Sequence, residues 1–104
     1  MKTIHIKTLT ELSQLDGRVY VHMTSPELEK QFMEQAEAEG FTFADGAKPT
    51  EREQSDFIAV NADHTINYIG VFGRMAYSIK SAFSDGKRLI RIMHNGEDDW
   101  LLED

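Results

Sequence analysis

Residues 25–40 read Ser25-Pro26-Glu27-Leu28-Glu29-Lys30-Gln31-Phe32-Met33-Glu34-Gln35-Ala36-Glu37-Ala38-Glu39-Gly40, and this stretch decides the fold class. Ser25 can cap a helix whose first residue is Pro26, where the missing N–H has no partner to lose. Leu28, Phe32, Met33 and Ala36 recur at helical spacing, which makes one apolar stripe. Gly40 suits the left-handed residue that follows a last helical turn. The spacing therefore predicts a helix over 26–39 with a buried face and a strongly acidic one.

Strand patterns flank this helix. Thr3 to Lys7 alternates, with Ile4 and Ile6 opposite Thr3, His5 and Lys7, the period of a half-buried strand. Thr10 precedes a short helical turn, Glu11-Leu12-Ser13-Gln14-Leu15, closed by Asp16-Gly17. Arg18 to Met23 alternates again. After the helix, Phe41-Thr42-Phe43 reads as a short strand, and Ala44 to Ser55 lapses into a polar loop. Phe57 to Val60 and Thr65 to Ile69 flank Asn61-Ala62-Asp63-His64 as a hairpin. Phe72, Met75, Ala76, Ile79 and Phe83 repeat as a second amphipathic stripe, predicting a helix over 72–84 that Asp85-Gly86 ends. Leu89 to Met93 is a strand, and Asn95-Gly96 marks a tight turn before Trp100-Leu101-Leu102.

The expectation is a single α+β domain over residues 1–104, a mainly antiparallel sheet with two amphipathic helices packed on one face. Leu28, Phe32, Met33, Ile58, Val60, Met75, Ile79, Phe83, Ile90 and Ile92 are its expected core. A chain of 104 residues with 40% apolar residues can close such a core without a disulfide or metal staple. It has no cysteine, which excludes thiol nucleophiles and thiolate metal sites. The N-terminus lacks a signal-peptide pattern and no apolar run is long enough to span a bilayer, so the expected location is the cytoplasm.

Charge is the second informative feature. The whole chain carries −7, yet residues 74–91 carry +4 through Arg74, Lys80, Lys87, Arg88 and Arg91 against Asp85. Acids concentrate on the 26–39 helix and near the C-terminus. Two binding readings follow. In the first, Glu27, Glu34, Glu37, Asp98 and Asp99 form an acidic surface that engages a basic protein by imitating nucleic-acid phosphates. In the second, Arg74, Lys80, Lys87, Arg88 and Arg91 bind single-stranded nucleic acid. Gly70-Val71-Phe72-Gly73 resembles the Gly-x-x-Gly loop of KH domains, which implies a clamp on a nucleic-acid backbone.

Catalysis has no local signature. His5, His22, His64 and His94 have no second histidine at the i+2 or i+4 spacing that converges on a metal. Ser13, Ser25, Ser55, Ser78, Ser81 and Ser84 lie in no nucleophile elbow. There is no phosphate-binding glycine loop. No catalytic residue, metal ligand or cofactor is assigned, and a small enzyme without a local motif is the third reading.

The run Glu39-Gly40-Phe41-Thr42-Phe43-Ala44-Asp45-Gly46-Ala47-Lys48-Pro49-Thr50-Glu51, after a Glu-rich helix, resembles small acidic proteins of Gram-positive phages and mobile elements. That resemblance covers about a third of the chain and no active-site motif. It implies a setting in which such proteins inhibit host defence nucleases, including CRISPR effectors, by protein–protein contact. The leading expectation is therefore a non-enzymatic, acidic protein-binding inhibitor of a nucleic-acid-binding partner.

Overall fold

The computed structural model describes residues 4–84, 86–94 and 100–103. In chain order the elements are β1 (Ile4–Ile6), α1 (Leu9–Ser13), β2 (Arg18–His22), α2 (Pro26–Ala38) and β3 (Thr42–Phe43). There follow a 3-10 turn (Pro49–Glu51), β4 (Phe57–Val60), β5 (Thr65–Tyr68), α3 (Val71–Ser78), β6 (Phe83–Ser84), β7 (Lys87–His94) and β8 (Trp100–Glu103). The fold is α+β. Its mixed sheet runs β1-β8-β7-β2-β4-β5-β3, with β6 also pairing on β7. The β2–β7 and β3–β5 pairs are parallel and the others antiparallel. The predicted turn at Asn95-Gly96 lies outside the described residues.

The helix that decided the fold class forms as its sequence requires. The Leu28 amide donates to Ser25 Oγ at 3.3 Å, and Pro26 opens the first turn. Gly40 takes φ 85° just past the last turn, where only a residue without Cβ avoids strain. Phe32, Met33 and Ala36 are buried with Leu9 and Leu12 of α1 against Val19 and Val21 of β2, Ile58 and Val60 of β4, and Ile92 of β7.

The alternate residues of the same strands face the other way. Tyr20 of β2 and Phe57 and Ala59 of β4 join Ile69, Leu89 and Tyr77 of α3 in a second cluster. The sheet is thus covered on both faces, α1 and α2 on one and α3 on the other, where the sequence reading puts both long helices on a single face. All four residues of β4 are buried for this reason.

The second helix is the main correction. It spans Val71–Ser78 rather than 72–84, because Lys80 takes φ 57° and Phe83–Ser84 leaves to pair with β7. Its expected core residues Met75, Ile79 and Phe83 are 55, 73 and 64% exposed. The face turned inward is instead Gly73 and Tyr77, beside Ile69. A Cβ on Gly73 would stand 2.5 Å from Ile69 Cγ2 and 3.3 Å from a Tyr20 ring carbon. Glycine therefore lets the helix backbone lie close to Tyr20. Tyr77 completes the contact by donating its hydroxyl to the Ile92 carbonyl at 3.1 Å. The rest of the expected core holds: Phe32, Met33, Ile58, Val60 and Ile92 are buried, with Leu28 and Ile90 packed against them.

Candidate interaction surfaces

Of the charged sets read from the sequence, Glu27, Glu34 and Glu37 lie on α2, while Arg74 lies on α3, Lys80 just after it, and Lys87, Arg88 and Arg91 on β7. On the α2 side, Glu27 and Glu34 are exposed. They lie seven residues apart, two helical turns, so they share one face at a separation of about 10.5 Å along the axis. Glu27 also sits in the first turn, where a carboxylate meets the positive end of the helix dipole. Glu34 borders a shallow groove of about 250 Å³ with Lys30, Met33, Thr50, Arg52 and Gln54.

Glu37 has a different task. Its Oε1 accepts from the Thr50 amide at 3.3 Å and from the Thr50 hydroxyl at 2.5 Å. The Thr50 hydroxyl bond is the chief reason its carboxyl titrates below the usual range. Glu37 thus pins the 3-10 turn onto α2 through Oε1. Asp98 and Asp99 lie outside the described residues.

Glu39, next along the helix, caps α1. Its two carboxylate oxygens accept from the Leu9 amide at 2.9 Å, the Thr10 amide at 2.8 Å and the Thr10 hydroxyl at 2.7 Å. Gln35 Nε2 donates to the same carboxylate at 2.8 Å. Burial alone raises its pKa, but the Thr10 hydroxyl, the Leu9 and Thr10 amides and Gln35 outweigh it and hold the carboxyl low. His64 closes the other side of this corner. Its ring stacks on Phe41 with centroids 3.9 Å apart, and Nε2 lies 2.7 Å from the Glu39 carbonyl, to which it donates. The loop at Asp45 is tied in turn by an ion pair with Arg52, whose guanidinium also lies over the Phe43 ring.

The cations of the basic set divide. Arg74 folds inward, its Nη2 3.0 Å from Asp56 Oδ1 and its Nε 3.3 Å from the Ile69 carbonyl. Its guanidinium lies 5.0 Å from the Phe57 ring centroid. Desolvation works against the Asp56 charge, but the Arg74 hydrogen bond and field outweigh it, and the carboxyl titrates low. Lys80, Arg88 and Arg91 instead border one cleft of about 470 Å³, beside Phe83, Leu89 and Asp16. Lys87 opens β7 opposite Ser84. The structure thus brings three of the five basic residues together and gives Arg74 to a partly exposed ion pair with Asp56.

The Gly70-x-x-Gly73 motif makes no loop. Gly70 caps α3 and Gly73 lies inside it, and the preceding element is the strand β5 rather than a helix. Among the described residues, no group of three or more histidine or acidic side chains is placed to hold a metal ion. No helix of the described residues is long and apolar enough to cross a membrane.

One surface escaped the sequence reading. Val71, Phe72, Met75 and Ile79 project from α3 at 70, 87, 55 and 73% exposure, next to Phe83 on β6. The competing signal was Ile69, Gly73 and Tyr77 at a spacing of four, a stripe weakened on paper by its glycine. No protein-family model, curated protein or solved structure matches the chain.

Proposed function

We propose that the chain is a non-enzymatic protein-binding module whose acidic α2 surface engages a basic partner. The observation that carries this reading is the pair of exposed glutamates two turns apart on one face of α2, set apart from the basic cleft. The exposed glutamates Glu27 and Glu34 lie on the α2 side, while Lys80, Arg88 and Arg91 gather around a cleft beside β6 and β7. A net charge of −7 steers the chain toward basic surfaces and away from phosphates. Carboxylates on a rigid helix compete for the Lys/Arg channel that a nucleic acid would occupy. A nucleic-acid-binding effector is therefore the partner class, and inhibition by occupying its channel is the action. The resemblance of the 39–51 segment to small mobile-element proteins supports the same setting.

The test places a photo-crosslinking residue at position 27 or 34, or at 72 as the contrast, in the expression host. Crosslinks from 27 and 34 to a protein that itself binds nucleic acid are expected. In the purified complex, adding the chain should displace the nucleic acid, and the paired reversal Glu27→Lys with Glu34→Lys should slow association without changing the circular dichroism. Crosslinks absent at both α2 positions, or made only to proteins without nucleic-acid affinity, would overturn the reading.

A further inference from the structure

The helices α2 and α3 end in the same turn, built on different residues. After α2 the Gly40 amide donates to the Glu37 carbonyl at 3.0 Å and the Phe41 amide to the Ala36 carbonyl at 2.9 Å. After α3 the Lys80 amide donates to the Tyr77 carbonyl at 3.2 Å and the Ser81 amide to the Ala76 carbonyl at 2.9 Å. Both are Schellman turns, whose residue just past the helix end is left-handed and usually glycine. Gly40 meets that demand at φ 85°, whereas Lys80 meets it at φ 57° with a Cβ that the left-handed region crowds. His64 also has positive φ, and its ring is held by Phe41 and the Glu39 carbonyl. Among the described residues the Lys80 side chain has no such partner. The turn accounts for the backbone at position 80 but not for lysine there.

Lysine adds a cation to the cleft of about 470 Å³ that Arg88, Arg91, Phe83 and Asp16 also border. A second special residue shapes this cleft. The Asp16-Gly17 turn lies so close to β7 that a Cβ on Gly17 would stand 2.4 Å from the Arg88 carbonyl oxygen. Among the described residues no carboxylate is paired with Lys80, Arg88 or Arg91. We propose that the cleft binds a small phosphomonoester with a planar body, the chemistry of a nucleoside monophosphate. Charge selects the head group: three cations and one carboxylate leave +2 in the cleft. A phosphomonoester carries about −1.5 to −2 at neutral pH, whereas a carboxylate or a phosphodiester carries a single charge. The guanidinium forks of Arg88 and Arg91 match phosphate oxygens. Phe83, 64% exposed, offers its ring face to a planar body, and Asp16 accepts from a hydroxyl or amine. The volume lies within the range of about 300–1,000 Å³ usual for small-molecule sites. The −7 of the chain is screened beyond about 8 Å, so a small dianion meets the local positive excess while a long strand also meets the acids around it. The inference goes beyond the α2 reading and does not depend on it.

Amide chemical shifts of the labelled chain, titrated with adenosine monophosphate at physiological salt, read the site directly. Saturable shifts are expected at Lys80 to Phe83 and at Arg88 to Arg91. Adenosine, which lacks the phosphate, and glycerol phosphate, which lacks the planar body, should each bind about tenfold more weakly or worse. Affinity for the monophosphate should fall as pH drops through about 6, where the phosphate loses its second charge. Lys80→Gly is the decisive variant, because glycine is the residue the turn prefers. It should keep or raise the melting temperature and yet weaken the monophosphate about tenfold, as should Arg91→Gln. No saturable shift in the wild-type chain overturns the proposal, and so does adenosine binding as tightly as its monophosphate. Undiminished binding in both Lys80→Gly and Arg91→Gln places the ligand elsewhere and also overturns it. Single-stranded RNA that moves the same amides at lower concentration makes the cleft a nucleic-acid interface instead. The first three failures leave the α2 reading intact, because crosslinks from positions 27 and 34 report on α2 alone.

Discussion

Glu39 shows how a residue that looks misplaced in a helix sequence can be the one that holds a corner of the fold. A carboxylate in the last turn of α2 faces the negative end of the helix dipole, which disfavours it by about 0.3–1 kcal/mol. The compensation lies outside the helix, where Glu39 accepts from the Leu9 and Thr10 amides at the start of α1 and from the Thr10 hydroxyl. Those amides are among the four that a helix start leaves without intrahelical partners. The α1 helix is only five residues long, so it depends on such outside bonds more than a long helix does. Glu39→Ala should therefore lower stability by about 1–2 kcal/mol at neutral pH. The folded carboxyl titrates below its ordinary 4.5, so the unfolded chain takes up its proton first as pH falls. The stabilisation is complete above that ordinary value and is lost as pH drops through the lower folded-state value. Urea unfolding of wild type and Glu39→Ala at neutral and at strongly acidic pH checks this. The gap should narrow in acid, and a gap of constant size would mean that packing rather than charge holds the corner.

At the scale of the element, α2 and α3 are a matched contrast. Both carry apolar residues at helical spacing, yet α2 buries its stripe and α3 exposes it. The difference is what each offers on its alternative face. On α2 the alternative is Glu27, Gln31, Glu34 and Ala38, which no core accepts. On α3 the alternative is Gly73 and Tyr77, where the glycine permits close approach to Tyr20 and the tyrosine hydroxyl reaches the Ile92 carbonyl. A buried hydroxyl with a carbonyl partner is satisfied, and the aromatic ring adds an edge-on contact to Phe57 with centroids 5.0 Å apart. Phe32 is fully buried on α2, so Phe32→Ala should cost about 3–5 kcal/mol through lost transfer energy and the cavity left behind. Equilibrium denaturation measures it, and a loss under about 1 kcal/mol would contradict the burial of the α2 stripe.

For the whole molecule, the charge pattern makes a prediction that separates the two binding readings. The Lys80–Arg88–Arg91 cleft is a plausible phosphate landing site in isolation, with Phe83 exposed beside it as a surface for base stacking. Set against it are the −7 of the chain and the engagement of Arg74 with Asp56. Direct binding of single-stranded RNA should therefore be absent at micromolar concentration and physiological salt, where charges interact over about 8 Å. A gel shift that appears with the wild-type chain and is abolished by Lys80→Glu and Arg88→Glu would promote the basic cleft over the acidic helix.

The sequence by itself determined the elements whose signals are local: the capped helix over Pro26–Ala38, the strands with apolar alternation or β-rich runs, and the α+β class. It also determined the presence of an acidic helix and of a basic stretch, because charge is written residue by residue. Only the tertiary structure decided which carboxylates are available, since Glu37 and Glu39 are occupied by Thr50 and by α1, segments that local spacing does not join to them. It decided likewise that β2 pairs parallel with β7, some seventy residues on, a contact that no periodicity announces. Above all it decided which face of α3 turns inward. Periodicity identifies a stripe, but the choice between two stripes depends on what stands opposite, and the approach that Gly73 allows to Tyr20 exists only once β2 is in place.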